Sequence, residues 1–342
     1  MKGNLIAFDT FKGREAAACI VDGQLDDLLI DPPENRIRPG AIYRGKVTRA
    51  MKGQGGVIVD TPDGRLFLRQ AKGVAAGDTL LVQTTTYAEP GKATPATGKL
   101  LLKSRYFLIT PGAGGRNISK AIRDETRRVE LHDLLSGVSL PSGVGLVVRT
   151  AADSVGDEAI LEDLGSLGDL AQMILGENPD GPPEKLLDGP SATDLALRDW
   201  PAPDTSDLDP GSFDRHGIHD VIEALRSPTV QMPEGSMTVE ATRALVAVDV
   251  NTGGDTTPAA GLKANIASLR ALPRALRLRG LGGQIVVDPA PVPKRERRRL
   301  EDVAKAAFRQ DSIETSVVGW TPLGHLELVR KRERLPLSEA LE

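Results

Sequence analysis

Short apolar runs separated by glycine, aspartate and proline turns dominate the first part of the chain. Residues 4–8 and 16–20 flank a Lys-Gly-Arg-Glu turn, and residues 25–30 follow a second turn, which predicts a hairpin or meander of strands. Four more runs lie between residues 41 and 87, with the sequences AIYRGKVTRA, GGVIVD, GRLFLRQ and DTLLVQTTTY. Their spacing predicts a small β-barrel.

The middle of the chain changes to a helical pattern. A helix is predicted within residues 118–135, followed by a buried strand at 144–148. A second helix, capped by Asp153 or Ser154, is predicted from apolar residues at helical spacing, namely Ile160, Leu161, Leu164, Leu167, Leu170 and Ile174. Loops rich in proline and aspartate at 178–190 and 201–211 mark candidate domain boundaries.

Two buried strands in the last third of the chain each end in an aspartate. The first ends in Asp249 and is followed by Asn251, and the second ends in Asp288. The segment between them, 261–279, is predicted to be mainly helical, and a strand–helix–strand crossover makes its two strands parallel and usually neighbours. Both carboxylates would then lie at one edge of the sheet with the Asn251 amide, which suits magnesium. In the alternative interpretation, Asp249 caps the next segment and Asp288 begins a proline turn.

Composition narrows the possible chemistry. The only cysteine is Cys19, which excludes an intramolecular disulfide and a cysteine-rich zinc site, and the four histidines form no zinc-binding pattern. A metal is therefore expected to be a hard cation bound by oxygen. The chain has no long apolar run and its start lacks a signal peptide, so we expect a cytoplasmic protein without a membrane segment.

The net charge of −4 hides an uneven distribution. Residues 151–214 carry 16 acidic and two basic side chains, which leaves a net +10 on the rest of the 342 residues. The densest basic stretch, 270–299, has nine lysines and arginines against two acidic residues. Such clustering is typical of a surface that faces a polyanion, and a solvated helix face is the alternative.

Five stretches in this order resemble the ribonuclease E/G family: IYRGKVTR, GVGLVVRTA, TRALVAVDVNTGG, LRLRGLGGQIVVD and GHLELVRKRER. The resemblance covers nearly the whole chain and implies a mixed α/β fold of several parts. The first implied part is a discontinuous ribonuclease-H-like part at 1–38 and 185–234, of which the second segment is reduced. The others are an OB-type RNA-binding barrel at 39–101, a 5′-sensor subdomain at 102–184 and a deoxyribonuclease-I-like catalytic part at 235–342.

The same resemblance implies a magnesium-dependent endoribonuclease that acts on single-stranded RNA in RNA processing or decay. Stimulation by a 5′-monophosphate and products with 5′-phosphate and 3′-hydroxyl ends are expected, with manganese as an alternative metal. Asp249 and Asp288 become the metal ligands. Asn251 joins them as a catalytic residue that orients Asp249 or the metal-bound water.

The resemblance also implies residues for a 5′-phosphate sensor and for RNA binding by the barrel. Arg149 and Thr150 in GLVVRTA, with a backbone contact from Leu108, would sense the 5′-phosphate. The local spacing alone leaves open that Arg149 pairs with a nearby acid, namely Asp153, Asp157 or Glu158. In the barrel the expected RNA-binding residues are Phe67, Lys92 and Tyr43, with a core role as the alternative for either aromatic.

The chain departs from the family pattern at several places. Residues 289–293 (PAPVP) replace the usual aromatic and acidic residues after Asp288, and Arg243 stands where an acid is usual. No Cys-x-x-Cys follows the Arg-Lys-Arg stretch, so we expect no zinc and no zinc-linked dimer, with other homo-oligomers left open. These departures leave an alternative function, a non-catalytic RNA-binding protein that retains the fold.

Overall fold

The computed structural model describes residues 2–89, 91–138, 143–178, 180–255 and 257–342. Its strands are β1 (Asn4–Phe11), β2 (Arg14–Val21), β3 (Gln24–Ile30), β4 (Ile42–Met51), β5 (Gly56–Thr61), β6 (Gly64–Arg69), β7 (Thr79–Thr84), β8 (Thr94–Thr97), β9 (Leu102–Lys103), β10 (Phe107–Pro111), β11 (Gly115–Ile118), β12 (Val144–Val148), β13 (Glu184–Leu187), β14 (Thr205–Asp207), β15 (Thr229–Met232), β16 (Gly235–Ala241), β17 (Val246–Asn251), β18 (Gly283–Asp288), β19 (Thr315–Trp320) and β20 (Leu326–Arg330). Its helices are α1 (Glu125–Ser136), α2 (Asp157–Leu175), α3 (Ala192–Asp199), α4 (Ser212–Arg215), α5 (Ile218–Ala224), α6 (Pro258–Leu278), α7 (Arg297–Arg309) and α8 (Leu337–Ala340).

The chain forms two compact units, one from residues 1–34 with 203–342 and one from 35–202. In the first unit, β1, β2 and β3 form the predicted antiparallel meander, and β14 pairs in parallel with β1 at its edge. The finer division into five segments stays a prediction. Across the described residues, every helix is too short or too polar to cross a lipid bilayer.

A six-stranded sheet in the order β15-β16-β17-β18-β20-β19 occupies the carboxyl-terminal half of the first unit. β17 and β18 are parallel neighbours joined through α6, which confirms the crossover prediction. Alternate residues of both strands are buried under α6 and α7, because successive side chains of a strand point to opposite faces of the sheet. β17 extends through Asn251, two residues beyond Asp249.

Several arginines of the basic stretch at 270–299 are structural. Arg277 is buried and forms ion pairs with Asp26 and Asp311, and Arg274 donates hydrogen bonds to the carbonyl of Leu25. Arg279 is also buried and bonds the carbonyl of Ser227. The expectation that the whole stretch faces a polyanion is therefore wrong for these three side chains, which bind carboxylates and carbonyls of their own unit.

The second unit contains a closed barrel of five strands, β4-β5-β6-β8-β7, sealed by pairing of β7 with β4. The barrel prediction is confirmed, and β8 is a strand that the apolar pattern does not reveal. The side chains that alternate toward the inside of the barrel form its core, among them Val47, Val57, Val59, Leu66, Leu68 and Val82. β13 pairs with β4 outside the closed ring.

A smaller sheet in the order β11-β12-β10-β9 follows the barrel in this unit. It shares one hydrophobic core with α1 and α2, to which Phe107, Leu146 and Ile160 contribute fully buried side chains. α2 begins only at Asp157, after a 3-10 turn at Thr150–Ala152, and Gly156 occupies its N-cap. The predicted caps Asp153 and Ser154 are therefore wrong.

Candidate functional site

The ends of β17 and β18 bring Asp249 and Asp288 together. The two residues are register partners in the parallel pair, and both are exposed at the carboxyl-end edge of the sheet. Because the carboxyl ends of parallel strands meet at one edge, the crossover itself produces this juxtaposition. In the alternative interpretation, Asp249 caps the next segment and Asp288 begins a proline turn. Asp249 instead lies inside β17, and its carboxylate accepts a hydrogen bond from the Asn251 side chain. Asp288 does end β18 immediately before Pro289.

Asn251 fixes one of the two carboxylates. It lies two residues after Asp249 on the same strand, so both side chains project from the same face. The Asn251 amide donates a hydrogen bond of 2.6 Å to Oδ2 of Asp249. Gly235 allows the adjoining hairpin to approach, since a Cβ there would lie 2.2 Å from the Asn251 carbonyl oxygen.

His325 lies beside the second carboxylate. Its Nε2 is 3.6 Å from Oδ1 of Asp288, and the side chain is about one-third exposed. Sequence reasoning missed this residue, because an isolated histidine carries no ligand pattern. The neighbourhood follows from β20, which pairs with β18 and begins immediately after His325.

Helix α6 holds the segment that follows Asp288. Asn265 is 1% exposed, and its side-chain amide both donates to the Ala290 carbonyl and accepts from the Ala290 N–H, each at 2.9 Å. Gly261 lets this segment pack closely, since a Cβ there would lie 2.7 Å from the carbonyl oxygen of Pro291. The proline-rich segment 289–293 is therefore held against α6 by these contacts. Asn265 is a second residue that sequence reasoning missed.

The donors at this edge suit magnesium. Within the described parts of the chain, no group of three histidine, cysteine, aspartate or glutamate side chains is placed to surround a metal ion. Two exposed carboxylates and one amide remain as the oxygen donors. Magnesium keeps several water ligands and is usually bound through one or two carboxylates together with substrate phosphates, so this sparse donor set fits it.

A basic cluster begins six residues after Asp288. Lys294, Arg295, Arg298 and Arg299 are exposed along the 3-10 turn at Lys294–Glu296 and the start of α7. Arg297 instead stacks over the Trp320 ring, with 5.2 Å between its guanidinium carbon and the ring centroid. The exposed members of the predicted basic stretch therefore lie mainly in this part of it.

The predicted sensor residues line one cavity in the second unit. The cavity has a volume of about 510 Å³, and Leu108, Arg149 and Thr150 are among its lining residues. The Arg149 guanidinium pairs with Asp199 at 2.9 Å and donates to the carbonyls of Ser104 and Arg198. Thr150 Oγ1 is 3.0 Å from the Ser119 hydroxyl.

The partner of Arg149 differs from all three acids considered from the spacing. Asp153 and Glu158 make no described ion pair with it, and Asp157 instead pairs with Arg127 at 3.3 Å. Asp199 comes from α3, which is fifty residues later in the chain. The local interpretation of Arg149 is therefore wrong, because the side chain reaches a distant helix.

The barrel carries a second cavity, with a volume of about 790 Å³. Lys92 lines it and pairs with Glu89 at 2.6 Å. Its lining also includes one aromatic residue that sequence reasoning missed and three arginines, namely Tyr87, Arg36, Arg49 and Arg65. Asp60 and Asp63 also line this cavity, so its lining combines four basic and two acidic side chains with Tyr87.

The two predicted barrel aromatics have different environments. Tyr43 is 1% exposed, and its hydroxyl donates to Asp63 at 2.7 Å. Burial and the Asp63 carboxylate raise the pKa of Tyr43. The Tyr43 ring is therefore inside the barrel and removed from the stacking candidates, whereas Phe67 is half-buried opposite Ile58.

Comparison with known proteins places these features in context. A sequence model of the Ribonuclease E/G family matches residues 101–209 and 204–333, which include both aspartates and Arg149. Ribonuclease G of Salmonella typhimurium (strain SL1344) is 27% identical over 95% of this chain and 79% of its own length. Ribonuclease E of Escherichia coli (strain K12) is 28% identical over 95% of this chain and 36% of its own length. Ribonuclease E of Nostoc sp. is 28% identical over 93% of this chain and 54% of its own length.

Proposed function

The chain belongs to the ribonuclease E/G family, and we therefore propose that it is a magnesium-dependent endoribonuclease that cleaves single-stranded RNA in RNA processing. The observation that carries the proposal is the register pairing of Asp249 with Asp288 at one edge of the sheet. Two exposed carboxylates side by side repel each other and an approaching phosphate, unless a cation lies between them. Their position beside an orienting amide supports a metal-dependent nuclease.

In the proposed reaction, water attacks the phosphorus of an internal phosphodiester. The bond from phosphorus to the 3′ oxygen breaks, and that oxygen leaves with a proton, which gives 5′-phosphate and 3′-hydroxyl ends. Asp249 and Asp288 would hold magnesium, or manganese, whose charge lowers the pKa of water and offsets charge on the phosphate. The hydrogen bond from Asn251 keeps Asp249 in one orientation, so that little rearrangement is needed when substrate binds.

We assign the cavity around Arg149 to recognition of a 5′-monophosphate. A guanidinium and the Thr150 and Ser119 hydroxyls converge there, and such groups bind a phosphate through charge-assisted hydrogen bonds. Leu108 contributes to the wall of the cavity. On the barrel, Lys92 and Phe67 are the proposed RNA contacts, with Tyr87 added from the cavity lining.

The function is tested with a single-stranded RNA that carries a 5′-monophosphate and an end label. We expect internal cuts that require magnesium or manganese, and faster cutting than of the same RNA with a 5′-hydroxyl. Binding without any cut across a panel of RNAs would contradict the proposal. That result would instead favour the alternative function, an RNA-binding protein that retains the fold without catalysis.

The two hydrogen bonds between Asn265 and Ala290 give a separate prediction. Asn265→Ala leaves the Ala290 N–H and carbonyl without their partner, so the segment after Asp288 loosens and stability falls by about 1–3 kcal/mol. The magnesium concentration for half-maximal cleavage should rise by about 10-fold or more, since groups that orient metal ligands contribute that much to metal affinity. RNA binding without metal should not change.

The matched control is Ser268→Ala. Ser268 lies one turn further along α6 and is as buried as Asn265, but its hydroxyl has no hydrogen-bond partner in the described structure. It should leave the magnesium dependence unchanged. A magnesium titration in which both variants behave like the unmodified protein would contradict the positioning role of Asn265.

A further inference from the structure

Asp199 gathers three cationic side chains beside the cavity around Arg149. Its Oδ1 lies 2.7 Å from the Lys103 ammonium and 2.9 Å from the Arg149 guanidinium, and its Oδ2 lies 2.9 Å from that of Arg198. All four side chains are partly buried, between 20% and 31% exposed. Of these four residues, Arg149 alone belongs to the GLVVRTA motif.

The position of Asp199 in its own helix is unfavourable. It is the last residue of α3, where the helix dipole disfavours a negative charge. Burial also acts to raise its pKa, but the hydrogen bonds and charges of Arg198 and Lys103 lower the pKa of Asp199 to about 2. The carboxylate is therefore ionised at neutral pH, and only its cationic neighbours compensate for this location.

The cluster keeps a surplus of positive charge. Three cations face one carboxylate, so two positive charges remain, and burial together with Arg149 and Arg198 lowers the pKa of Lys103. A terminal phosphate monoester carries a charge of about −1.5 to −2 at pH 7, whereas an internal phosphodiester carries a single negative charge. Arg105 also lines the cavity. The excess of positive charge there is therefore at least two, which favours the doubly charged monoester over the diester.

We propose that Asp199 is a specificity-determining residue that competes with RNA phosphates for Arg149 and Lys103, so that only a doubly charged terminal phosphate displaces it. The inference rests on the proposed sensor function of this cavity. An internal phosphodiester carries a single negative charge, no more than the resident carboxylate, so it has no electrostatic advantage in replacing Asp199. Asp199 therefore selects the end of the RNA rather than its interior. Arg198 lines the cavity. Lys103 is outside that lining, and it belongs to the phosphate site because it shares Oδ1 of Asp199 with Arg149.

The test measures binding of two short single-stranded oligonucleotides in magnesium-free buffer, one with a 5′-monophosphate and one with a 5′-hydroxyl. Asp199→Asn should bind the 5′-hydroxyl oligonucleotide more tightly and reduce the discrimination between the two by about 10-fold, the effect of one charged hydrogen-bonding partner. Asp169→Asn is the control, because Asp169 is exposed on α2 outside the cavity lining and loses the same charge. It should leave the discrimination unchanged.

Lys103→Gln retains Asp199 and keeps the proposal testable if Asp199→Asn fails to fold. It should weaken binding of the 5′-monophosphate oligonucleotide by about 10-fold and affect the 5′-hydroxyl oligonucleotide little. Unchanged or increased discrimination in Asp199→Asn, or equal weakening of both oligonucleotides in either variant, would overturn the proposal. If Arg149→Ala removes the preference for the 5′-phosphate while neither of these variants alters it, the sensor function stands and the competing role of Asp199 fails.

Discussion

Asp249→Asn and Asp288→Asn are each expected to reduce RNA cleavage by about 10³-fold or more, a loss of several kcal/mol in transition-state stabilisation. Asparagine keeps the size of the side chain and removes the charge that would hold magnesium. Both side chains are exposed, so the substitutions should cost little stability. RNA binding in magnesium-free buffer should persist or strengthen, because a negative charge near the phosphates is removed.

The measurement is magnesium-dependent cutting of an end-labelled RNA, with binding of the same RNA measured in parallel. Asp220→Asn is a matched control, because Asp220 is also exposed in the first unit but lies on α5. Cleavage by either site variant at the rate of this control would remove the proposed metal site. A variant that lost binding together with cleavage would point to a folding defect, which circular dichroism would detect.

Arg149→Ala is expected to abolish the preference for RNA with a 5′-monophosphate over RNA with a 5′-hydroxyl, a change of about 10-fold or more. The substitution removes the guanidinium from the cavity and leaves the carboxylate of Asp199 behind, so the cavity becomes less favourable for any anion. Cutting of the 5′-hydroxyl RNA should change little, because it does not use this site.

The ratio of cleavage rates for the two RNAs is the measurement, since general losses of RNA affinity cancel in it. Arg309→Ala is the control, because Arg309 is exposed at the end of α7 and does not line the cavity around Arg149. This control should retain the preference. A preference that survived in Arg149→Ala would leave the cavity without a sensor role, while the proposed nuclease activity would be unaffected.

The basic stretch at 270–299 shows why charge clustering alone misassigns residues. Its arginines are indistinguishable in sequence, yet Arg277 lies in a buried ion-pair cluster while Arg298 and Arg299 are exposed. The difference arises from which face of each helix meets its neighbours, and from carboxylates such as Asp26 and Asp311 supplied by other segments. Tyr43 is a similar case, because its position in a strand predicts an RNA contact equally with a core role. The folded barrel buries its ring.

Local sequence patterns are enough to predict the meander, the barrel and the parallel pair that carries Asp249 and Asp288. Each of these follows from local periodicity, from turns, and from a crossover rule that links consecutive elements. Three contacts of the candidate sites are visible only in the folded chain: Asp199 pairs with Arg149, Asn265 bonds Ala290, and His325 lies beside Asp288. These contacts join segments far apart in the chain, and their geometry depends on how whole helices and strands pack, which no local pattern encodes.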